Sequence, residues 1–165
     1  MTFDDAYIAV QDLEVSIPTL FDGIEVARIY GNDRLSIGDR TAKEKQGVPQ
    51  VGDGVGAKSG IYLFGTPEQE ILYIGKASQN NLHQRIWDHI RTPKELPDGN
   101  WSFPAHSFPT SKETAQYVEA IRNGQARLEI ITVSDSDLAS LLEVYLQTLH
   151  KKQHGRLPAF NRQIG

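Results

Sequence analysis

Two short runs, Gly60-Ile61-Tyr62-Leu63-Phe64 and Ile71-Leu72-Tyr73-Ile74-Gly75, stand close together with Gly65-Thr66-Pro67 just after the first. Their β-branched and aromatic side chains suit a strand, and the Gly-Thr-Pro signal suits a turn, so the pair predicts a β-hairpin. A loop from Gly65 to Glu70 sets Phe64 opposite Ile71, Tyr62 opposite Tyr73, Leu63 opposite Leu72 and Ile61 opposite Ile74. Side chains alternate faces along a strand. The register therefore puts the two tyrosines on one face and the aliphatic pairs on the other, a plausible floor for a site.

The rest of the chain supplies helices and one more strand. Residues 3 to 15 predict a helix, with Thr2 as N-cap and Asp4 and Asp5 in its first turn. Residues 16 to 31 are apolar without clear period, and predict burial alone. From Gly31 to Gly56 the chain is polar and holds seven glycines or prolines, which reads as a long loop. Residues 80 to 91 predict a helix that projects Arg85 and His89 from one face, four residues apart. Residues 93 to 109 hold four prolines and read as a loop. Thr110 and Glu113 form a capping box for a helix to about Arg122, ended at Asn123-Gly124. Ala126 to Val133 predicts a strand, and Ser134 or Asp135 caps a helix to about His150. At 100° per residue, Leu138, Leu141, Leu142, Tyr145 and Leu149 form its apolar stripe, and Glu143 falls in the polar arc. The fold class expected is α/β, a small antiparallel or mixed sheet flanked by helices.

Composition sets limits. The 165 residues are 39% hydrophobic and 23% charged, as in an ordinary globular domain. The absence of cysteine excludes disulfides, zinc-thiolate sites and thiol catalysis. The first ten residues are acidic where a signal peptide is basic, and no apolar run reaches membrane-spanning length, so a cytoplasmic location is expected. The net charge is −4. Residues 1 to 57 hold ten acids and five bases, net −5, whereas residues 58 to 165 hold eleven acids and twelve bases, net +1. The second segment is the better place to meet a polyanion, and 57/58 is the expected domain boundary.

Several residues form an ordered set. Gly60-Ile61-Tyr62 is followed, after ten intervening residues, by Tyr73-Ile74-Gly75 and then Lys76. Arg85 and His89 come next, then Glu143-x-x-Leu146, then Pro158-Ala159-Phe160-Asn161. Over residues 59 to 162 this set resembles the GIY-YIG nuclease family, whose core is a three-stranded antiparallel sheet. The interval from Glu143 to Asn161 is several residues longer than that pattern, through an insertion near His150-Lys151-Lys152. The resemblance implies a magnesium- or manganese-dependent endonuclease acting on DNA. In that reading Glu143 holds one metal ion, a tyrosine takes the proton of the attacking water, and Arg85 meets the phosphate. Tyr62 is the preferred base, with Tyr73 positioning water or phosphate; His89 assists proton transfer and Lys76 neutralises charge. Gly60, Gly75 and Asn161 support the site.

The chemistry fits these types. A carboxylate holds a hard cation that keeps open positions for phosphate, and a guanidinium fork matches phosphate oxygens. A phenol beside cations shares its proton below its ordinary pKa of about 10. Each residue also has a plain reading: strand tyrosines as packing, Arg85, His89 and Glu143 as solvated helix faces, Asn161 as a turn. The same fold can also serve as a catalytically idle module that binds nucleic acid or protein. No separate DNA-reading domain is evident, which leaves specificity to loops, a homodimer or a partner protein. Gly52 to Ser59 approaches a phosphate-binding loop, but Ala57 stands where that loop needs glycine. His150 and His154, with Lys151 and Lys152, read as a basic helix end that suits the dipole, more simply than as a metal pair.

Overall fold

The computed structural model describes residues 1–29, 35–37, 55–89, 94–97, 101–102, 112–122 and 126–165. Its frame is an antiparallel sheet between two helical layers. In chain order the main elements are α1 (Phe3–Ser16), β1 (Val26–Ile29), β2 (Leu35–Ile37), β3 (Ser59–Gly65), β4 (Ile71–Ala77) and α2 (Leu82–His89). There follow β5 (Lys94–Glu95), β6 (Trp101–Ser102), α3 (Ala115–Arg122), β7 (Ala126–Val133) and α4 (Ser136–His154). The lateral order is β1, β7, β3, β4, with β2 pairing β7 further along the edge that β1 occupies. The expected three strands, β3, β4 and β7, are thus joined by two from the N-terminal segment.

Strand β3 is covered on both faces, and every one of its residues is buried. Tyr62, Phe64, Leu72, Leu128, Ile130 and Phe160 pack with Leu82 and Ile86 of α2 and Val118 of α3 on one face. Ile61, Leu63, Ile74, Ile131 and Val133 pack on the other with Phe3, Ala6 and Val10 of α1 and Leu138, Leu142 and Leu146 of α4. Residues 3 to 16 therefore belong to the main core. Arg28 of β1 ties them down: its guanidinium reaches Asp4 of α1 at 2.6 Å and the fully buried Glu129 of β7. The Tyr7 ring lies 5.1 Å from that guanidinium, a cation–π contact.

The hairpin is where expectation and structure differ most usefully. Tyr62 pairs with Gly75, Leu63 with Ile74 and Phe64 with Tyr73, a register two residues away from the one read in the sequence. Two single steps produce it. The turn closes one residue later than expected, pairing Gly65 with Ile71, with Thr66 N–H donating to Glu70 O at 2.9 Å. A β-bulge between Phe64 and Gly65 then adds a second step. One step alone would send Tyr73 to the face opposite Tyr62, because each slip of one residue flips the side chains. The bulge restores the parity, and the two tyrosines share a face as expected. It also brings Leu72 into the tyrosine-side core, where the sequence had set it with the other aliphatics.

Other boundaries shift modestly. The expected loop 31 to 56 contributes β2, and the loop 93 to 109 contributes the short β5–β6 pair. Residues 16 to 29 form a 3₁₀ turn at Pro18–Leu20 and then β1, and among them only Phe21 is buried, so the burial expected for this segment is not found. Thr2 caps α1 reciprocally with Asp5, and Asp135 caps α4 through Leu138 N–H at 2.7 Å. Helix α4 runs one turn beyond His150 and stops at Gly155 in the left-handed conformation. The Gly52, Gly54, Thr110 and Asn123-Gly124 signals lie outside the described residues. Among the described residues no helix is long and apolar enough to cross a membrane.

Candidate active site

Strand β4 is an edge of the sheet, and an edge strand leaves every second residue's N–H and C=O unpaired. Here those outward groups belong to Leu72, Ile74 and Lys76, and the motif residues meet them in turn. Phe160 N–H donates to Leu72 O at 2.9 Å. Asn161 clasps Ile74 on both sides: its Oδ1 accepts from Ile74 N–H and its Nδ2 donates to Ile74 O, each at 2.9 Å. The Arg85 Nε–H points to Lys76 O at 3.4 Å. Two parts of the motif, far apart in sequence, are thus fastened to one strand edge.

Helix α4 approaches the same edge. Gln147 donates from Nε2 to Ile74 O at 3.1 Å. One turn earlier Glu143 meets Lys76, whose Nζ lies 3.1 Å from Oε2. One helical turn of about 5.4 Å and two strand residues of about 3.4 Å each are comparable steps, so these pairs stay aligned. Glu143 is 7% exposed, so it is a buried carboxylate, whereas its helical period alone assigned it to the polar arc; Leu141, assigned to the apolar stripe, is 41% exposed. Among the described residues Glu143 Oε2 accepts no hydrogen bond, and Lys76 meets it by charge.

Tyr62 starts on the interior strand β3 and reaches this edge because Gly75 lets it pass. A Cβ on Gly75 would sit 2.5 Å from Tyr62 Cζ and 2.6 Å from its hydroxyl, so Tyr62 lies directly over that residue. Gly60 answers a different contact: a Cβ there would lie 2.3 Å from Ile131 O of the neighbouring strand. Beyond Gly75 the Tyr62 hydroxyl comes within 2.7 Å of His89 Nε2. The rings of Tyr62, Tyr73 and His89 pack together, with Tyr73 and His89 centroids 4.7 Å apart.

Burial separates the two tyrosines. Tyr62 is wholly buried. Burial, then the neighbouring Tyr73, push its pKa well above the ordinary value, and Arg85 opposes this. Tyr73 is half-buried. Burial raises its pKa too, while the interaction with Tyr62 and the charge of Arg85 lower it and Glu143 raises it. His89 is 3% exposed, and burial followed by Arg85 pushes its pKa down to about 3. It is a neutral group at ordinary pH, where its unperturbed value near neutrality suggested a titrating one.

The sequence-derived residues therefore gather around one edge, from two sides of it. Tyr62, Tyr73 and His89 lie on the α2 side. Lys76 follows Ile61 and Ile74 on the α4 side, where it meets Glu143. Arg85 is exposed between them, and its charge acts on all three rings. Glu143 acts electrostatically on both tyrosines despite this division. Among the described residues no group of three or more acidic or histidine side chains could hold a metal. Gln147, which shares the support of Ile74 O with Asn161, was not singled out in the sequence; its one signal is its place four residues after Glu143, on the same helix face. No family profile, characterised protein or solved structure shows a significant match to the chain.

Proposed function

We propose that this chain is a nuclease of the GIY-YIG type that hydrolyses phosphodiester bonds in DNA with the help of one divalent metal ion. The observation that carries the reading is the assembly at the outer edge of β4: the Lys76–Glu143 pair, Arg85 beside Lys76 O, and the Tyr62–Tyr73–His89 cluster around Gly75. These groups offer a carboxylate for metal, two cations for phosphate and a phenol for a proton, all needed by the one reaction.

Glu143 fits a metal ligand. It is a hard oxygen donor, buried, with one oxygen free of hydrogen bonds among the described residues and a cation already against it. A magnesium or manganese ion held there would stabilise charge on the phosphate and offset the negative charge that Glu143 directs at both tyrosines. Arg85 binds phosphate oxygens through its planar fork and holds them as charge develops. Lys76, released from Glu143, is free to neutralise the same phosphate. Tyr73, half-buried where Tyr62 is wholly buried, gives its own proton to solvent and as the phenolate takes the proton of the attacking water; this reverses the preference for Tyr62 read from the sequence. The new bond joins the water oxygen to phosphorus, and the bond from phosphorus to the leaving sugar oxygen breaks. Tyr62 and His89 pack against the Tyr73 ring and hold it in place.

The test is incubation of supercoiled plasmid with the protein in magnesium, in manganese and in excess chelator, beside Glu143→Gln. Nicked or linear product in either metal, absent with chelator and with the variant, supports the reading. Robust cleavage in chelator or by Glu143→Gln contradicts it. Binding without cleavage in either metal would instead mark an idle DNA-binding module on this fold.

A further inference from the structure

The basic end of α4 lies beside a cleft that the catalytic reading leaves unused. The cleft is about 560 Å³ and is lined by Lys151 of α4, by Arg156 and Arg162 of the returning chain, and by Tyr117 and Asn161. Lys151, Arg156 and Arg162 are exposed, and among the described residues none of them is ion-paired. Among the described residues Glu70 is the one acid in the lining. The helix dipole accounts for Lys151 in the last turn. It does not account for Arg156 and Arg162, which lie beyond the helix. The buried His150 fixes this return, donating from Nδ1 to Arg156 O at 2.9 Å.

The cleft also adjoins the site. Ile71 and Leu72 line it, immediately before Tyr73 on β4, and Asn161 serves both places: it lines the cleft and clasps Ile74. From Leu72 to Lys76 the β4 edge runs four residues, roughly 14 Å at about 3.4 Å each. The cleft stands at one end of that edge and Arg85 at the other. Each strand of a DNA duplex presents a phosphate per about 3.4 Å of axis. DNA lying along the edge therefore has backbone phosphate, a few nucleotides from the one at Arg85, within reach of the cleft.

We propose that this cleft, through Lys151, Arg156 and Arg162, grips backbone phosphate of the DNA flanking the cleavage position. The proposal rests on the nuclease reading for its substrate, but it concerns binding alone. The experiment is fluorescence anisotropy of a labelled duplex of about two helical turns, in excess chelator, from about 50 to about 200 mM salt. The parent is compared with a triple variant, Lys151→Gln, Arg156→Gln and Arg162→Gln, and with Lys152→Gln, which changes the same helix end outside the cleft lining. Each lost phosphate contact lowers the slope of log affinity against log salt by about 0.9. The triple variant should lose about two to three in slope and bind about tenfold more weakly or worse, with Lys152→Gln near the parent. An unchanged slope, a Lys152→Gln effect as large per charge, or a parent that does not bind the duplex overturns the proposal. The two readings separate cleanly: a parent that cleaves with an unchanged slope in the triple variant loses the cleft, and one that never cleaves but shows the slope change loses the nuclease reading.

Discussion

Gly75→Ala tests the packing that carries Tyr62 to the edge of the sheet. The added Cβ would stand 2.5 Å from Tyr62 Cζ, 2.6 Å from the Tyr62 hydroxyl and 2.6 Å from Tyr73 Cε1. Ordinary carbon contacts lie near 3.5–4.0 Å, so both rings must move by about an ångström. Tyr62 cannot swing freely, because it is wholly buried and its hydroxyl meets His89 at 2.7 Å. Overpacking of this kind costs about 1–3 kcal/mol. For a chain of this length that corresponds to a melting temperature lower by roughly 2–12 °C. Urea denaturation at neutral pH measures it. The cost should shrink when Tyr62→Leu removes the crowded ring end, so the double variant should be more stable than additivity predicts, by at least about 0.5 kcal/mol. A Gly75→Ala protein as stable as the parent, or strict additivity with Tyr62→Leu, would show that Tyr62 does not lie over Gly75.

Asn161→Ala should cost about 1–3 kcal/mol in the same assay, because Ile74 N–H at the edge loses its acceptor while Ile74 O keeps Gln147; a loss within error would show that water replaces the clasp. His89 makes stability depend on pH. Its folded pKa is about 3 against 6.5 unfolded, so it contributes nothing above pH 6.5. Below that pH the unfolded chain gains a proton that the folded chain refuses, and stability falls by about 1.4 kcal/mol per pH unit toward pH 3. His89→Asn should lose about 2 kcal/mol less than the parent between pH 7.5 and pH 5; an equal loss refutes the buried neutral histidine.

These tests fall where sequence and structure part company. The hairpin and its shared tyrosine face were legible, because alternation has a period of two and survives a two-residue shift of register. The register itself was not, since the late turn and the bulge leave no mark in the residue types. Strand β7 was legible to the residue at both ends, as an unbroken β-rich run. Strand β2 was not, because three residues inside a glycine-rich stretch carry too little pattern to distinguish pairing from loop. For Glu143 the helical period gave the wrong environment: periodicity counts charge as a preference for water, whereas Lys76 and the β4 edge make a buried place for it. The ordered set of motif residues pointed to their neighbourhood, while the organising feature, one outer strand edge met at Leu72, Ile74 and Lys76, appears only with the sheet order.

The most direct measurement of the central claim is the single-turnover cleavage rate of Tyr73→Phe on a labelled duplex, with magnesium and saturating protein, set beside its binding isotherm. The phenyl ring keeps the contacts with Tyr62 and His89 and removes the hydroxyl alone. General-base help is worth about 10²- to 10⁴-fold, so the rate should fall by that amount while DNA affinity stays near the parent's. Cleavage by Tyr73→Phe at the parental rate would contradict the account, and a deficit confined to Tyr62→Phe would return the base to the buried tyrosine.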